Sequence, residues 1–197
     1  MTRGMSPAVV VVTGASGSGK TAAVRALDAR GLLAVRCYYF DAVGVPSREE
    51  MDRDFGGGEQ WQALTTQRWL DQFASDPDGA EVYVLDGQTR PSFVRRAAER
   101  SGISVARVVI LDCALPVRHT RLTELRGQAE LSNSRMDCWA VYLRGQADAL
   151  DLPVIDTTSL RTEAVADALA VHVERVRAER QTAAEQANPA AGAARRR

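Results

Sequence analysis

The sequence predicts an α/β domain: a five-stranded parallel sheet with helices on both faces, making three layers. Three observations carry this. Five short apolar runs rich in Val, Ile or Tyr alternate with amphipathic stretches, the pattern of a buried parallel sheet covered by helices. Each run ends in or near a polar residue (Thr13, Asp41, Asp86, Asp112 and Asp156), as strands do where they open onto a ligand-binding edge. The first run leads directly into residues 14–21, which read G-x-x-x-x-G-K-T and precede a helical pattern.

Taken in order, the strands are expected at residues 8–13, 34–40, 81–85, 107–112 and 153–156. Helical periodicity falls at 21–29 and at 59–73, where Trp61, Leu64 and Trp69 are the expected buried positions. It recurs at 91–100, opened by Pro91 at a favoured first-turn position, and at 116–126, 136–150 and 161–179. Residues 41–58 read as a loop-like insertion whose Gly56-Gly57-Gly58 marks a mobile segment on the substrate side. One domain over residues 1–180 is expected, with an Ala-, Gln- and Arg-rich tail at 181–197 left disordered.

Composition narrows the classes of function. With 25 basic and 25 acidic side chains, no overall charge excess points to nucleic acid as a partner. Cys37, Cys113 and Cys138 are widely spaced and form no C-x-x-C pair, so they read as buried thiols in a reducing compartment. The N-terminal apolar run is too short for a signal peptide, and nothing approaches a membrane span, so a cytoplasmic location with no membrane contact is expected.

The chemistry concentrates in residues 14–21. Gly14, Gly17 and Gly19 let the main chain turn tightly and approach phosphate oxygens. The N–H groups through Ala15, Ser16 and Ser18, with the helix start behind them, supply positive potential. Lys20 is placed to reach β- and γ-phosphates, and the Thr21 hydroxyl to hold Mg²⁺. Asp86 ends an apolar strand before a glycine, where a carboxylate can hold Mg²⁺ through water. No N-K-x-D motif is present, which argues against GTP.

Several segments resemble the small P-loop kinases of the adenylate, shikimate and gluconate kinase group. GASGSGKT is similar to the gluconate kinase loop, and VYVLDGQTR (82–90) resembles an adenylate kinase stretch. LDCALPVRHTRLTELRG (111–127) looks like the strand, connector and arginine-bearing LID of this group, and LPVIDTTSL like its last strand and base loop. The resemblance covers roughly residues 8–175 and implies strand order 2-3-1-4-5, a LID at about 115–135 and an acceptor-binding region at about 41–75. It implies transfer of phosphate from Mg·ATP to a small-molecule acceptor.

By the same resemblance, Asp41 meets the acceptor hydroxyl and Arg90 contacts the acceptor, where a guanidinium suits phosphate or carboxylate. Arg121 and Arg126 close over the transferred group, with Arg118 left to a solvated helix face, and Asp156 and Thr157 bracket the adenine. Gln88 and the two RGQ segments suggest amides near a polyhydroxylated or amide-bearing acceptor. A short LID and a carboxylate at residue 41 tilt the expectation towards an alcohol acceptor. A nucleotide or nucleoside kinase and a non-catalytic ATP-binding switch are the alternatives, in a monomer or homodimer.

Overall fold

The computed structural model describes residues 6–76 and 79–187. Five strands, β1 (Ala8–Thr13), β2 (Val35–Tyr39), β3 (Val82–Asp86), β4 (Val105–Asp112) and β5 (Val154–Asp156), form one sheet in the order β2-β3-β1-β4-β5. Every pairing is parallel. This is the implied order, and the strands lie where the apolar runs predict them.

The alternation of side chains along β1 explains the three layers. All six of its residues are buried, because both faces of the central strand are covered. Val10 and Val12 face a core with Leu27 of α1 (Lys20–Asp28) and Leu169 and Val173 of α7 (Thr162–Ala187). Val9 and Val11 face a second core, with Leu70 and Phe73 of α3 (Gly58–Ser75), Val94 of α4 (Pro91–Ser101) and Leu143 of α6 (Ser134–Leu150). Phe73 stacks on Tyr83 with centroids 4.5 Å apart, fixing α3 against β3.

Five expectations need correction. The insertion at 41–58 is not all loop: it holds a 3₁₀ turn (Phe40–Val43) and α2 (Arg48–Phe55). Ser47 and Glu50 form a reciprocal capping box at the start of α2, and Gly56 closes it at φ 76°. The helix expected at 116–126 is α5 (Leu115–Thr120) followed by a wide π-type turn (Arg121–Leu125). Leu64 is 53% exposed, whereas Trp69 is buried and Trp61 half-buried. Helix α7 runs on to Ala187, so residues 181–187 of the expected tail are helical; residues 188–197 lie outside the described residues. Of the three thiols only Cys113 is fully buried; Cys37 is half-buried, its thiol pushed up to about 12 by desolvation and the nearby Asp28, and Cys138 is exposed. Among the described residues no helix is long and apolar enough to cross a membrane.

Candidate functional site

The carboxyl ends of β1, β3 and β2 set the site. β1 ends at Thr13, and the chain turns back over the sheet before α1 begins at Lys20. The turn is close: a Cβ on Gly14 would lie 2.3 Å from the Leu111 carbonyl oxygen of β4, so only glycine fits. Lys20 is buried, and its Nζ donates to the Ala15 carbonyl at 3.1 Å, folding the side chain back under its own loop. Burial lowers its pKa to about 8; the Asp86 and Asp41 charges oppose that shift and Arg126 adds to it.

Thr21 and Asp86 meet as the sequence reading expects. The Thr21 hydroxyl donates to Asp86 Oδ2 at 2.6 Å. Asp86 Oδ1 is buried with no hydrogen-bond partner, and burial raises the pKa of this carboxyl despite Lys20 and Thr21. An orphaned carboxylate oxygen beside a hydroxyl is a hard oxygen pair suited to a small divalent cation.

A cavity of about 470 Å³ opens beside the loop. Gly17, Gly19, Lys20 and Thr21 line one end, Arg121, Leu125 and Arg126 a wall, and Thr157, Leu160 and Val165 the far end. Arg25 also lines it, which the sequence reading did not single out. Arg121 is held by Thr157: Nη2 donates to its carbonyl at 2.7 Å and Nη1 to its hydroxyl at 3.0 Å. The Thr157 hydroxyl lies 2.9 Å from the Ser18 carbonyl and its N–H donates to the Asp112 carbonyl at 2.8 Å. One threonine thus ties the loop at residues 14–21, the end of β4 and Arg121 together. Asp156 does not line this cavity; its carboxylate accepts from the Thr158 N–H at 2.8 Å, and the Thr158 side chain, then that N–H, hold its pKa below the usual range.

Arg118 corrects another expectation. It is not on a solvated face but is 1% exposed, ion-paired to Asp137 of α6, with Nε and Nη1 lacking partners. A Cβ on Gly17 (φ 84°) would come within 2.8 Å of its Cγ, so it packs directly against the phosphate loop. His119 Nε2 shares Asp137 at 3.0 Å.

On the other side of the loop, β2 delivers Asp41. Tyr39 pairs in register with Asp86, which puts Asp41 just beyond the Asp86 carboxylate, exposed at the strand end. From Ser16 of the loop a hydrogen-bonded chain crosses to α3. Gln88 Nε2 donates to Ser16 Oγ at 2.7 Å, Gln62 Nε2 to the Gln88 carbonyl at 2.6 Å, and Arg90 Nη1 to Gln62 Oε1 at 2.7 Å. Below it, a buried chain joins the Thr13 hydroxyl to the Thr89 carbonyl at 3.0 Å, and the Thr89 hydroxyl to that of Thr66 at 2.7 Å. Arg90 is also paired with Glu59 at 3.1 Å and covered by the rings of Phe93, Trp139 and Tyr142.

No protein-family model matches this sequence, and no curated protein matches it significantly. Solved structures do. A tunicamycin resistance protein from Deinococcus radiodurans aligns over 85% of this chain and 95% of its own, with TM-score 0.61 and 22% identity. A sugar kinase from Janibacter sp. aligns over 85% and 95%, with TM-score 0.57 and 16% identity. A shikimate kinase from Acinetobacter baumannii, solved with shikimate, aligns over 87% and 95%, with TM-score 0.51 and 15% identity. This chain has the small P-loop kinase fold.

Within the small P-loop kinase fold, residues 14–21 and Asp86 form one cluster, and Arg121 and Arg126 flank the same cavity as Lys20. Gln88 and Arg90 lie on the opposite side, joined to the loop through Ser16. Sequence reasoning missed Arg118, Gln62, Glu59 and Trp139. The only advance signal for Arg118 was its spacing from Arg121 on one helix face. Gln62, Glu59 and Trp139 carry no motif.

Proposed function

We propose that the protein is an ATP-dependent phosphotransferase that moves the γ-phosphoryl group of Mg·ATP to a hydroxyl of a small-molecule acceptor. The observation that carries this reading is the convergence of Lys20, Asp86 and Asp41: two carboxylates from different strand ends act on one buried ammonium. In this reading the N–H groups of residues 14–21 hold the β- and γ-phosphates, and Lys20 leaves the Ala15 carbonyl for their oxygens. The base lies at the far end of the cavity, by Thr157 and Leu160, with Asp156 shaping that turn.

Thr21 and Asp86 are the residues that would hold magnesium, a reading supported by the orphaned Asp86 Oδ1. Bound there, the ion supplies charge neutralisation at the phosphate oxygens. Asp41 orients the acceptor hydroxyl. It takes the proton as the new oxygen–phosphorus bond forms and the bond to the bridging oxygen of the departing ADP breaks. Arg121 and Arg126 offset the charge spread over the transferred group. A nucleoside monophosphate acceptor is already ionised and needs no such base, so Asp41 favours the alcohol.

The test is calorimetry with Mg·ATP, followed by ADP release across a panel of hydroxy compounds. Saturable binding that is lost in Lys20→Met, with turnover on a hydroxyl acceptor, is the expected result. Folded protein that ignores Mg·ATP overturns the reading.

A further inference from the structure

The acceptor side of the cleft has a chemical character of its own. Resting on the phosphotransferase reading above, we propose that its acceptor is an uncharged or cationic hydroxy compound with an aromatic or similarly flat apolar face, not a carboxylate, sulfate or phosphate ester.

The first observation is two aromatic pairs, Phe40–Trp61 beside Asp41 and Trp139–Tyr142 beside Arg90, bridged through Gln62 and Arg90. Phe40, the residue before Asp41, packs so closely on Gly87 that a Cβ there would lie 2.3 Å from its own. Trp61 meets Phe40 edge-on at 5.7 Å. One residue on, Gln62 reaches Gln88 and Arg90, and beyond Arg90 lie Trp139 and Tyr142, stacked on each other at 5.2 Å. Trp61 and Trp139 pack on the second core but stay half-exposed, and Tyr142 is exposed, so part of this aromatic surface faces solvent. Flat π-faces bind flat apolar groups and cations.

The second observation is where the positive charge stands. Lys20, Arg25, Arg121 and Arg126 line the nucleotide cavity. On the acceptor side Arg90 is already neutralised: Nη2 faces Glu59 at 3.1 Å, Nη1 is given to Gln62, and Trp139 lies 5.2 Å from the guanidinium. Helix α2, which packs by Met51 and Asp52 onto the start of α3, carries Glu49, Glu50, Asp52 and Asp54 against Arg48 and Arg53. Arg53 is spent on Asp54 at 2.7 Å. An anionic acceptor entering beside Asp41 must therefore displace Glu59 from Arg90 and approach a net-negative helix, whereas a neutral or cationic one meets neither penalty.

The experiment uses four probes against the full chain saturated with Mg·AMPPNP: 2-phenylethanol, phenylalaninol, phenyllactate and gluconate, read by tryptophan fluorescence and saturation-transfer NMR. The expected result is that 2-phenylethanol and phenylalaninol bind at least about tenfold tighter than phenyllactate, with gluconate weakest. Glu59→Gln, which frees Arg90, narrows that gap by strengthening phenyllactate about threefold or more. Trp139→Leu, or Tyr142→Ala if the first variant melts early by circular dichroism, weakens both aromatic alcohols. The proposal is overturned if phenyllactate or gluconate binds as tightly as the alcohols. It is also overturned if protein that binds Mg·AMPPNP takes up neither aromatic alcohol. Failure of Mg·AMPPNP itself to bind in calorimetry identifies the phosphotransferase reading as the faulty step and removes this one with it.

Discussion

Around the phosphate loop the contacts run through the main chain: Lys20 to the Ala15 carbonyl, Thr157 to the Ser18 carbonyl, and Gly14 against the Leu111 carbonyl. Around Arg90 they run through side chains from several elements: Glu59 and Gln62 of α3, Phe93 of α4, and Trp139 and Tyr142 of α6. Main-chain geometry leaves little room for variation, since it is enforced by sheet register and glycine. A wall of side chains can change one residue at a time without disturbing the sheet. In the proposed function the loop is accordingly the constrained donor half, and the Arg90 wall the acceptor half where specificity would be set.

Substitutions can break or sharpen that contrast. The largest expected effect is at Asp41: Asp41→Asn lowers kcat by roughly 10²–10⁴-fold as a proton acceptor is lost. The Kd for Mg·ATP by calorimetry stays close to that of the unaltered protein. A parallel loss of ATP affinity would mean the halves are not separable.

Next comes Gly14→Ala. The added methyl collides with the Leu111 carbonyl, so the loop or β4 must shift, at a cost of about 1–3 kcal/mol in thermal unfolding, with loss of nucleotide affinity. A stable, ATP-binding alanine variant would remove the main-chain argument.

The third test is pH. Lys20 has a folded pKa of about 8 against an ordinary value of 10.5, so ATP affinity falls as pH rises past about 8 and the ammonium is lost. Folding responds in the opposite sense. Between about 8 and 10.5 the unfolded chain holds more protons on this lysine than the folded one, so the Lys20 contribution to stability increases with pH across that window. Comparing melting curves of the protein and Lys20→Met across it isolates that contribution; a flat difference contradicts it.

Smaller still is Gln62→Ala, which cuts the chain from Arg90 to Gln88. Two side-chain bonds worth about 0.5–1.5 kcal/mol each are lost, raising acceptor KM while leaving ATP binding alone. Ser47→Ala is the mildest: removing the cap of α2 costs about 0.5–2 kcal/mol locally, seen as faster amide exchange in that helix.

How much of this was readable in advance follows the same division. The apolar run before Gly14, the glycines and Lys20-Thr21 are local in sequence, so the strand, loop, helix start and Asp86 partnership were legible. Helix α2 was missed although Ser47 and Glu50 announce it, because the glycine triplet after it was read as the character of the whole insertion. Arg118 escaped because its burial depends on Asp137 from a helix that joins it only in the folded chain. Leu64 was misplaced because α3 buries the face bearing Thr65, Thr66, Trp69, Leu70 and Phe73, whose first buried turn carries a threonine pair where periodicity assumes an aliphatic residue.

The wide turn at Arg121–Leu125 is how a helix absorbs one surplus residue without throwing its flanks out of phase. Thr123 and Glu124 sit exposed within it, so either can be deleted to leave a continuous, straighter rod from Leu115 onward. Within and after the turn, Leu122 is anchored in the interior while Arg126 stands exposed at the cavity wall. A chain shortened there would keep Leu122 in its place only by turning Arg126 to another side of the rod, away from the wall it now lines.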